Sequence, residues 1–381
     1  MLKEDNELLT RIGPNTRMGD LLRRYWWPIA ASKKVEGSKP IVTRVLGEDL
    51  LLFRDGNGKI GLVDKACPHR SASLEFGRVE KDGIRCFYHG WKFGADGGCL
   101  DMPAEPENSP LKKQVKLRTY HTQEVAGLIF AYLGPDPVPL LPAYDLLVRD
   151  DMDRVVTQGL DRCNWLQRAE NAADPCHSMA LHASVYPSIA LKRPDALYER
   201  TWYGMRFSVQ YEGQKLQNVF HQIVPSHTRR FGARVGDKRP AQYLHLRTPV
   251  DDYQTITYII EAVETEGGRP GTIDVEDLRI MPPGEYDRVD DGWWGIASHD
   301  QDRAAQESQG VIADRTKETL GTSDRGIAML RQMLLDGIKA IDAGSDPMGI
   351  IRDMGQNNLI AFDAKKNFTD MDKDYSGKAV G

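Results

Sequence analysis

The sequence predicts an α+β protein of two domains, and three observations carry this. Between Pro40 and Val63, β-rich runs alternate with tight turn signals. At Gly134-Pro135-Asp136-Pro137-Val138-Pro139 regular periodicity stops. Beyond that break, long strand-like runs are followed by one strong amphipathic helix.

Taken in order, residues 7–13 and 16–27 read as short helices separated by Gly13-Pro14. Asn15 or Thr16 is the N-cap candidate of the second, with Leu21, Leu22 and Trp26 on its apolar side. Ile41–Leu46, Leu50–Arg54 and Lys59–Val63 are strands split by Gly47-Glu48-Asp49 and Asp55-Gly56-Asn57-Gly58, which are hairpin signals, so this is an antiparallel β module. Val125–Leu133 reads as one more strand. The Pro-rich stretch is a stiff spacer and sets the expected boundary, giving domains 1–140 and 141–381. In the second domain residues 164–183 are helical in pattern, and 200–224 and 241–262 are strand-like. Thr322 or Ser323 caps a helix with Ile327, Leu330, Met333, Leu334, Ile338 and Ile341 on one face. The polar tail after Met371 is expected to be disordered.

At 381 residues the chain can build two domains and a sizeable core. No stretch approaches the ~18 consecutive apolar residues of a membrane span. Met1-Leu2-Lys3-Glu4-Asp5-Asn6-Glu7 is too acidic for a signal or transit peptide. A formal charge of −5 argues against nucleic acid as a partner. Five cysteines are too few for a disulfide framework and read as reduced or metal-bound thiols, which places the chain in the cytoplasm.

Two clusters carry the chemistry. In the first, Cys67-Pro68-His69 is followed after sixteen residues by Cys86-Phe87-Tyr88-His89. Each pair follows a predicted strand, so all four side chains stand on hairpin tips. Two thiolates and two imidazoles are the ligand set of a Rieske [2Fe–2S] centre. Structural zinc also takes two Cys and two His, but usually with two to four residues inside each pair. Rieske proteins of the respiratory type resemble this motif and add two cysteines that form a disulfide beside the cluster. Here those positions are Ala72 and Tyr88, and Cys99 stands alone as a packed thiol. That departure favours the lower-potential, oxygenase kind.

The second cluster is Asn171-Ala172-Ala173-Asp174-Pro175-Cys176-His177, closed by His182. Pro175 breaks the helix and lets Asp174 cap a new turn carrying His177. Five residues put His177 and His182 about 140° apart on an ideal helix. They converge on one metal only if the helix is distorted, and a lone helical His pair is more often packing. Coupled to a cluster upstream, the pair points to an open Fe(II) site of two His and one carboxylate. The third ligand stays open between Asp302, its neighbours Asp300 and Glu307, and the distant Asp363.

These motifs resemble the catalytic α subunit of Rieske non-heme iron aromatic oxygenases, in the phthalate-dioxygenase-like branch, across nearly the whole chain. Arg17–Trp27 resembles the branch's N-terminal segment. Cys67, His69, Cys86 and His89 match its cluster ligands. Asn171, Asp174, His177 and His182 match its Asn-x2-Asp-x2-His-x4-His, and Thr248-Pro249-Val250-Asp251-Asp252 resembles part of its catalytic sheet. Gln301-Asp302 with Gln306-Glu307 resembles its third-ligand helix, which favours Asp302; Leu320-Gly321-Thr322-Ser323-Asp324 also fits. The resemblance implies an antiparallel β Rieske domain and a catalytic domain with a curved antiparallel sheet around a long helix, of helix-grip type. It implies one [2Fe–2S] cluster and one mononuclear Fe(2+) per subunit, and a head-to-tail homotrimer in which Asp174 joins the cluster of one subunit to the iron of the next. It implies O2 as co-substrate, and electrons from an NAD(P)H-dependent reductase carrying flavin and a ferredoxin-type centre, or from a separate ferredoxin. The expected outcome is hydroxylation or oxidative dealkylation of an aromatic compound. The alternatives are a Rieske electron-transfer protein with a degenerate second domain, and a zinc-stabilised binding module. Val185, Tyr186, Ile189 and Ile259 are candidates for a pocket wall, though ordinary core is the simpler expectation for each.

Overall fold

The computed structural model describes residues 1–213, 217–233, 240–290 and 294–362. Asp363 and the tail after Met371 lie outside the described residues. The chain begins with two short helices, α1 (Lys3–Thr10) and α2 (Arg17–Leu22). Thr16 caps α2 by accepting from the Gly19 N–H at 3.1 Å, as its hydroxyl suits it to do.

The second helix stops earlier than its apolar pattern suggested. Trp26–Ala31 is a strand, β1, buried at all six positions. It lies between two packed layers, so it has no polar face and no alternation, and such a run reads equally as helix or strand. Pro28, which has no N–H, falls at the bulge in its pairing. Next come β2 (Ile41–Val45), β3 (Glu48–Arg54) and β4 (Ile60–Asp64). The chain then leaves to build a small four-stranded sheet of β5 (Arg78–Glu80), β6 (Gly83–Arg85), β7 (Lys92–Phe93) and β8 (Cys99–Asp101). It returns through the single turn α3 (Leu111–Gln114) into β9 (Thr119–Val125) and β10 (Leu128–Tyr132). The expected strand Val125–Leu133 is thus half of a hairpin. Ala126 and Gly127 both have positive φ, 52° and 74°, and make its turn. The larger sheet of this part runs β1-β10-β9-β4-β3-β2.

After the irregular proline stretch come the single turn α4 (Asp145–Val148) and β11 (Met152–Asp161). Helices α5 (Trp165–Ala173) and α6 (His177–Leu181) follow. Then come β12 (Pro194–Thr201), β13 (Gly204–Tyr211), β14 (Gln217–Ile223), β15 (His227–Ala233), β16 (Pro240–Pro249), β17 (Thr255–Glu264) and β18 (Ile273–Arg279). They form an eight-stranded sheet in the order β12-β13-β14-β15-β16-β17-β11-β18. Neighbours are antiparallel except β11 and β18, which run parallel. Helices α7 (Ser298–Glu307) and α8 (Arg325–Asp342) are the last α-helices among the described residues. Thr322–Asp324 forms a 3₁₀ turn before α8, and the capping contact runs backwards, from Gly321 N–H to the Asp324 carboxylate at 2.6 Å.

One face of the eight-stranded sheet carries Met205, Phe207 and Val209 against Trp165 and Leu166 of α5 and Leu330, Met333 and Leu334 of α8. The other carries Leu244, Leu246, Tyr258 and Ile260 against Trp26, Phe130 and Tyr132 of the N-terminal sheet. The Thr248–Asp252 segment is the seam. Leu46 and Gly47 N–H groups donate to the Pro249 and Val250 carbonyls at 2.9 Å, and the Asp252 carboxylate accepts from Ile12 N–H at 2.9 Å. Among the described residues no helix is long and apolar enough to cross a membrane.

Candidate cluster-binding loops and metal centre

The first four site residues stand on two loops of like geometry, after β4 and between β6 and β7. Ser71 N–H donates to Cys67 C=O at 2.9 Å, and Gly90 N–H to Cys86 C=O at 3.1 Å. Cys67 N–H then donates to Ala72 C=O, and Cys86 N–H to Trp91 C=O. The fourth residue after each cysteine is left-handed, with φ of 58° at Ser71 and 75° at Gly90. Each chain reversal needs that conformation, which glycine adopts without strain. Cys67 and Cys86 are buried, while His69 and His89 are half-buried at the tip. The two imidazoles lie 4.5 Å apart between centroids, and His69 stacks flat on Trp91 at 4.3 Å. Burial, and the nearby Cys86 thiol, push the Cys67 thiol up to about 11, against a backbone N–H bond that lowers it. Two buried sulfurs so close ionise together only with a cation between them, so this donor set fits an iron–sulfur cluster. Cys99 stands apart, half-buried with its Sγ 3.6 Å from the Asp101 carbonyl.

The second cluster forms where α5 ends. Asp174 is extended (φ −104°, ψ 103°), and its N–H returns to the Asn171 carbonyl at 3.3 Å. The Asp174 Oδ1 accepts from Cys176 N–H at 2.7 Å, which turns the chain into the short helix α6. His177 opens α6, and His182 lies just past its end with non-helical φ and ψ. This early termination resolves the 140° problem: the backbone turns at His182 and brings the rings to 5.3 Å. His177 Nδ1–H donates to the Asp174 backbone carbonyl, and His182 Nδ1–H to Gln301 Oε1 at 2.9 Å. Carbonyl oxygens only accept, so both rings carry their proton on Nδ1 and present Nε2 lone pairs. Those Nε2 atoms face Asp302 Oδ1, at 3.6 Å from His177 and 3.2 Å from His182.

Asp302 Oδ1 is buried without a hydrogen-bond partner, which suits an atom reserved for a metal. Burial opposes ionisation of this carboxyl, but the contacts with His182 and His177 and the charge of Arg168 outweigh it and hold it far below the usual range. His182 is raised in turn, its burial outweighed by Asp302. The three side chains are close enough to share one ion, and two imidazoles with one carboxylate fit an open Fe(II) site.

The local rivals are occupied elsewhere. Asp300 accepts from both Arg279 Nη atoms at 2.8 and 2.9 Å, from Arg303 at 3.1 Å and from Asp287 N–H at 2.7 Å. Glu307 accepts from Arg162 N–H and Tyr286 Oη–H. Both anchor α7 so that Asp302, between them, faces the histidines. Val185 and Tyr186 are exposed rather than core, at 41% and 48%. Ile189 and Ile259 are half-buried. The sequence reading missed Gln301 and Arg168. Gln301 neighbours Asp302, but adjacent helical residues point about 100° apart, so spacing could not bring it to the same ion. Arg168, on α5, gives the Gln306 side chain a 2.6 Å bond that ties α7 to α5; no signal in its local sequence marks it.

A model described as the Rieske [2Fe-2S] domain matches residues 25–121, and one described as LigXa C-terminal domain like matches residues 275–377. The chain is 35% identical to the 5,5'-dehydrodivanillate O-demethylase oxygenase subunit of a Sphingobium species, over 94% of this chain and 85% of that one. It is 30% identical to the phthalate 4,5-dioxygenase oxygenase subunit of Pseudomonas putida, over 99% and 95% of the two chains. Its fold matches caffeine-bound NdmA of Pseudomonas putida CBB5 with a TM-score of 0.69, at 21% identity, over 86% of this chain and 94% of that one. A match to the Rieske domain replaces the structural-zinc reading with an iron–sulfur cluster. The chain therefore belongs to the Rieske oxygenases, as an oxygenase subunit that holds a [2Fe–2S] cluster and a mononuclear iron, incorporates O2 and draws its electrons from a partner protein.

Proposed function

We propose that this chain is the terminal component of a multicomponent system that uses O2 and NAD(P)H-derived electrons to hydroxylate or oxidatively dealkylate an aromatic compound. The observation that carries the reading is the convergence of His177 Nε2, His182 Nε2 and the partnerless Asp302 Oδ1. In this reading Cys67, His69, Cys86 and His89 hold the cluster, and His177, His182 and Asp302 hold Fe(2+). When bound, the cluster supplies single electrons and the iron supplies activation of O2 at open coordination positions. His177 and His182 keep neutral rings aimed at the metal, and Asp302 balances part of its charge. Asp174 and Asn171 shape the turn between the centres. The Asp174 carboxylate is the proposed link to the cluster of a neighbouring subunit in a homotrimer. The division of labour falls at residues 140/141, although the apolar core runs across that boundary. The electron donor is a flavin- and ferredoxin-type reductase or a separate ferredoxin, in the cytoplasm.

The sheet face toward Asp302 supports a substrate with an anionic group. Arg230, His245 and Arg247 stand on that face in adjacent rows, with Glu261 two strands from Arg230 in the same row. Arg230 Nε donates to His245 Nε2 at 3.3 Å. Burial and the charges of Arg230 and Arg247 hold His245 neutral. Arg168 reaches this face from α5 with its own charge paired to Asp161 Oδ2 at 3.0 Å. The relatives named for dehydrodivanillate O-demethylation and for phthalate dioxygenation agree with both proposed outcomes. The test is aerobic turnover of aromatic acids, aryl ethers and anilides with a surrogate reductase, alongside an iron count. Three irons per chain with turnover of an aromatic acid is the expected result. Two irons and no product would instead favour an electron-transfer protein.

A further inference from the structure

We infer that Gln301 is a positioning residue for the mononuclear iron: its neutral amide fixes the tautomer of His182 without adding charge to the site. The inference rests on the ligand assignment proposed above. Gln301 is 1% exposed. Its Nε2 donates to the Ile296 carbonyl at 3.1 Å and to Ser184 Oγ at 3.4 Å. The Ile296 carbonyl has no proton to give, so the amide nitrogen faces it and Oε1 faces His182 Nδ1 at 2.9 Å. That bond places the ring proton on Nδ1 and turns the Nε2 lone pair toward Asp302, 3.2 Å away. His177 receives the same service from a backbone carbonyl, so at His182 the orientation is set by a side chain that substitution can change.

The choice of amide has a consequence. Metal-bound histidines donate their second N–H to carboxylates, carbonyls or water, and such partners tune both orientation and basicity. A carboxylate at position 301 would draw on the Nδ1 proton and add a second negative charge beside Asp302. Gln301 orients the ring and leaves the donor set at two neutral imidazoles and one carboxylate, with Gln301 itself buried and held in place by Ile296 and Ser184.

The test uses holoenzyme carrying Gln301→Leu or Gln301→Glu. Mononuclear iron is titrated with an Fe(II) chelator against the constant visible absorbance of the cluster. The ferrous site is also probed with nitric oxide and read by EPR. In Gln301→Leu iron should be held roughly 10- to 100-fold more weakly, with the cluster spectrum unchanged. In Gln301→Glu iron retention should recover, and the nitric oxide EPR signal should shift from that of the wild type. Wild-type retention in the Leu variant overturns the inference, as does an unchanged signal in the Glu variant. Should the Leu variant fail to fold, the Glu signal decides alone. A wild type holding only cluster iron would instead overturn the ligand assignment, and this inference with it.

Discussion

The Asp174 carboxylate stands 3.9 Å from Nδ1 of His177, and the proton on that nitrogen goes to the Asp174 backbone carbonyl instead. Within one chain Asp174 thus acts as a turn: its Oδ1 accepts from Cys176 N–H, and its backbone orients the histidine. Burial raises its carboxyl above the usual range, against the opposing pull of His177. Oδ2 faces the His177 ring at 3.9 Å. Asn would keep the turn, since it caps about as well as Asp, but not the charge. We expect Asp174→Asn to fill both metal sites, to accept electrons into the cluster, and to form product orders of magnitude more slowly. Single-turnover kinetics on the pre-reduced protein measure this as slowed cluster oxidation. Unchanged cluster oxidation would reduce Asp174 to its turn.

Asp302→Ala should lose mononuclear iron and all oxygenation while keeping the visible Rieske spectrum, because the cluster loops stand on other sheets. Metal analysis with turnover checks it. Normal iron content in that variant would mean another group is the third ligand.

The cluster should show its two imidazoles electrochemically. His69→Cys or His89→Cys should lower the potential by adding thiolate charge, since His in place of Cys raises it. The wild-type potential should fall with rising pH once the free N–H groups ionise in the oxidised state. Voltammetry from neutral to strongly alkaline pH is the measurement, and a flat wild-type response would argue against imidazole ligation.

Glu170 on α5 accepts from Arg315 Nη2 at 2.7 Å and from Arg331 Nε at 2.6 Å, all three nearly buried. Arg315 also reaches Asn6 of α1. Arg331 keeps a second carboxylate partner in Glu318, but removing the Glu170 charge leaves the buried Arg315 guanidinium without a counter-charge, so Glu170→Gln should cost about 3–5 kcal/mol. Thermal unfolding should register a clear fall in Tm. A wild-type Tm would show the network to be neutral.

Glu48 joins the N-terminal segment to its sheet through Arg23 at 2.9 Å, Arg118 at 2.7 Å and Tyr120 Oη at 2.8 Å. Burial pushes its pKa up, but these partners outweigh it and hold the carboxyl below its ordinary 4.5. A depressed folded-state pKa gives stability that is present above 4.5 and is lost as pH falls through the depressed value. The wild type should therefore exceed Glu48→Gln in stability near neutrality, and the gap should close in acid. A gap independent of pH, followed by chemical denaturation, would contradict this.

The chemistry was legible in the sequence because its candidate ligands come in short local sets. Cys67 with His69, Cys86 with His89, and His177 with His182 each span at most six residues, and hairpin turns between β-rich runs announced the loops that hold the first two pairs. The amphipathic face of α8 was legible for the same reason, since 3.6-residue periodicity is a local property. What the sequence by itself left open was long-range. The resemblance favoured Asp302, but by its own chemistry it was one of several carboxylates until Asp300 and Glu307 proved to be held by Arg279, Arg303, Arg162 and Tyr286, partners brought together from distant strands and loops. Trp26 and Trp27 read as the end of a helix because the strand they open is buried on both faces, a condition created only when two sheets close around it. The tautomer of His182 depended on Gln301, 119 positions away. Local spacing and the family resemblance nominated the side chains proposed to hold iron. Tertiary packing decided which carboxylate joins them and which way each imidazole points, because hydrogen-bond partners and burial exist only once the chain has folded.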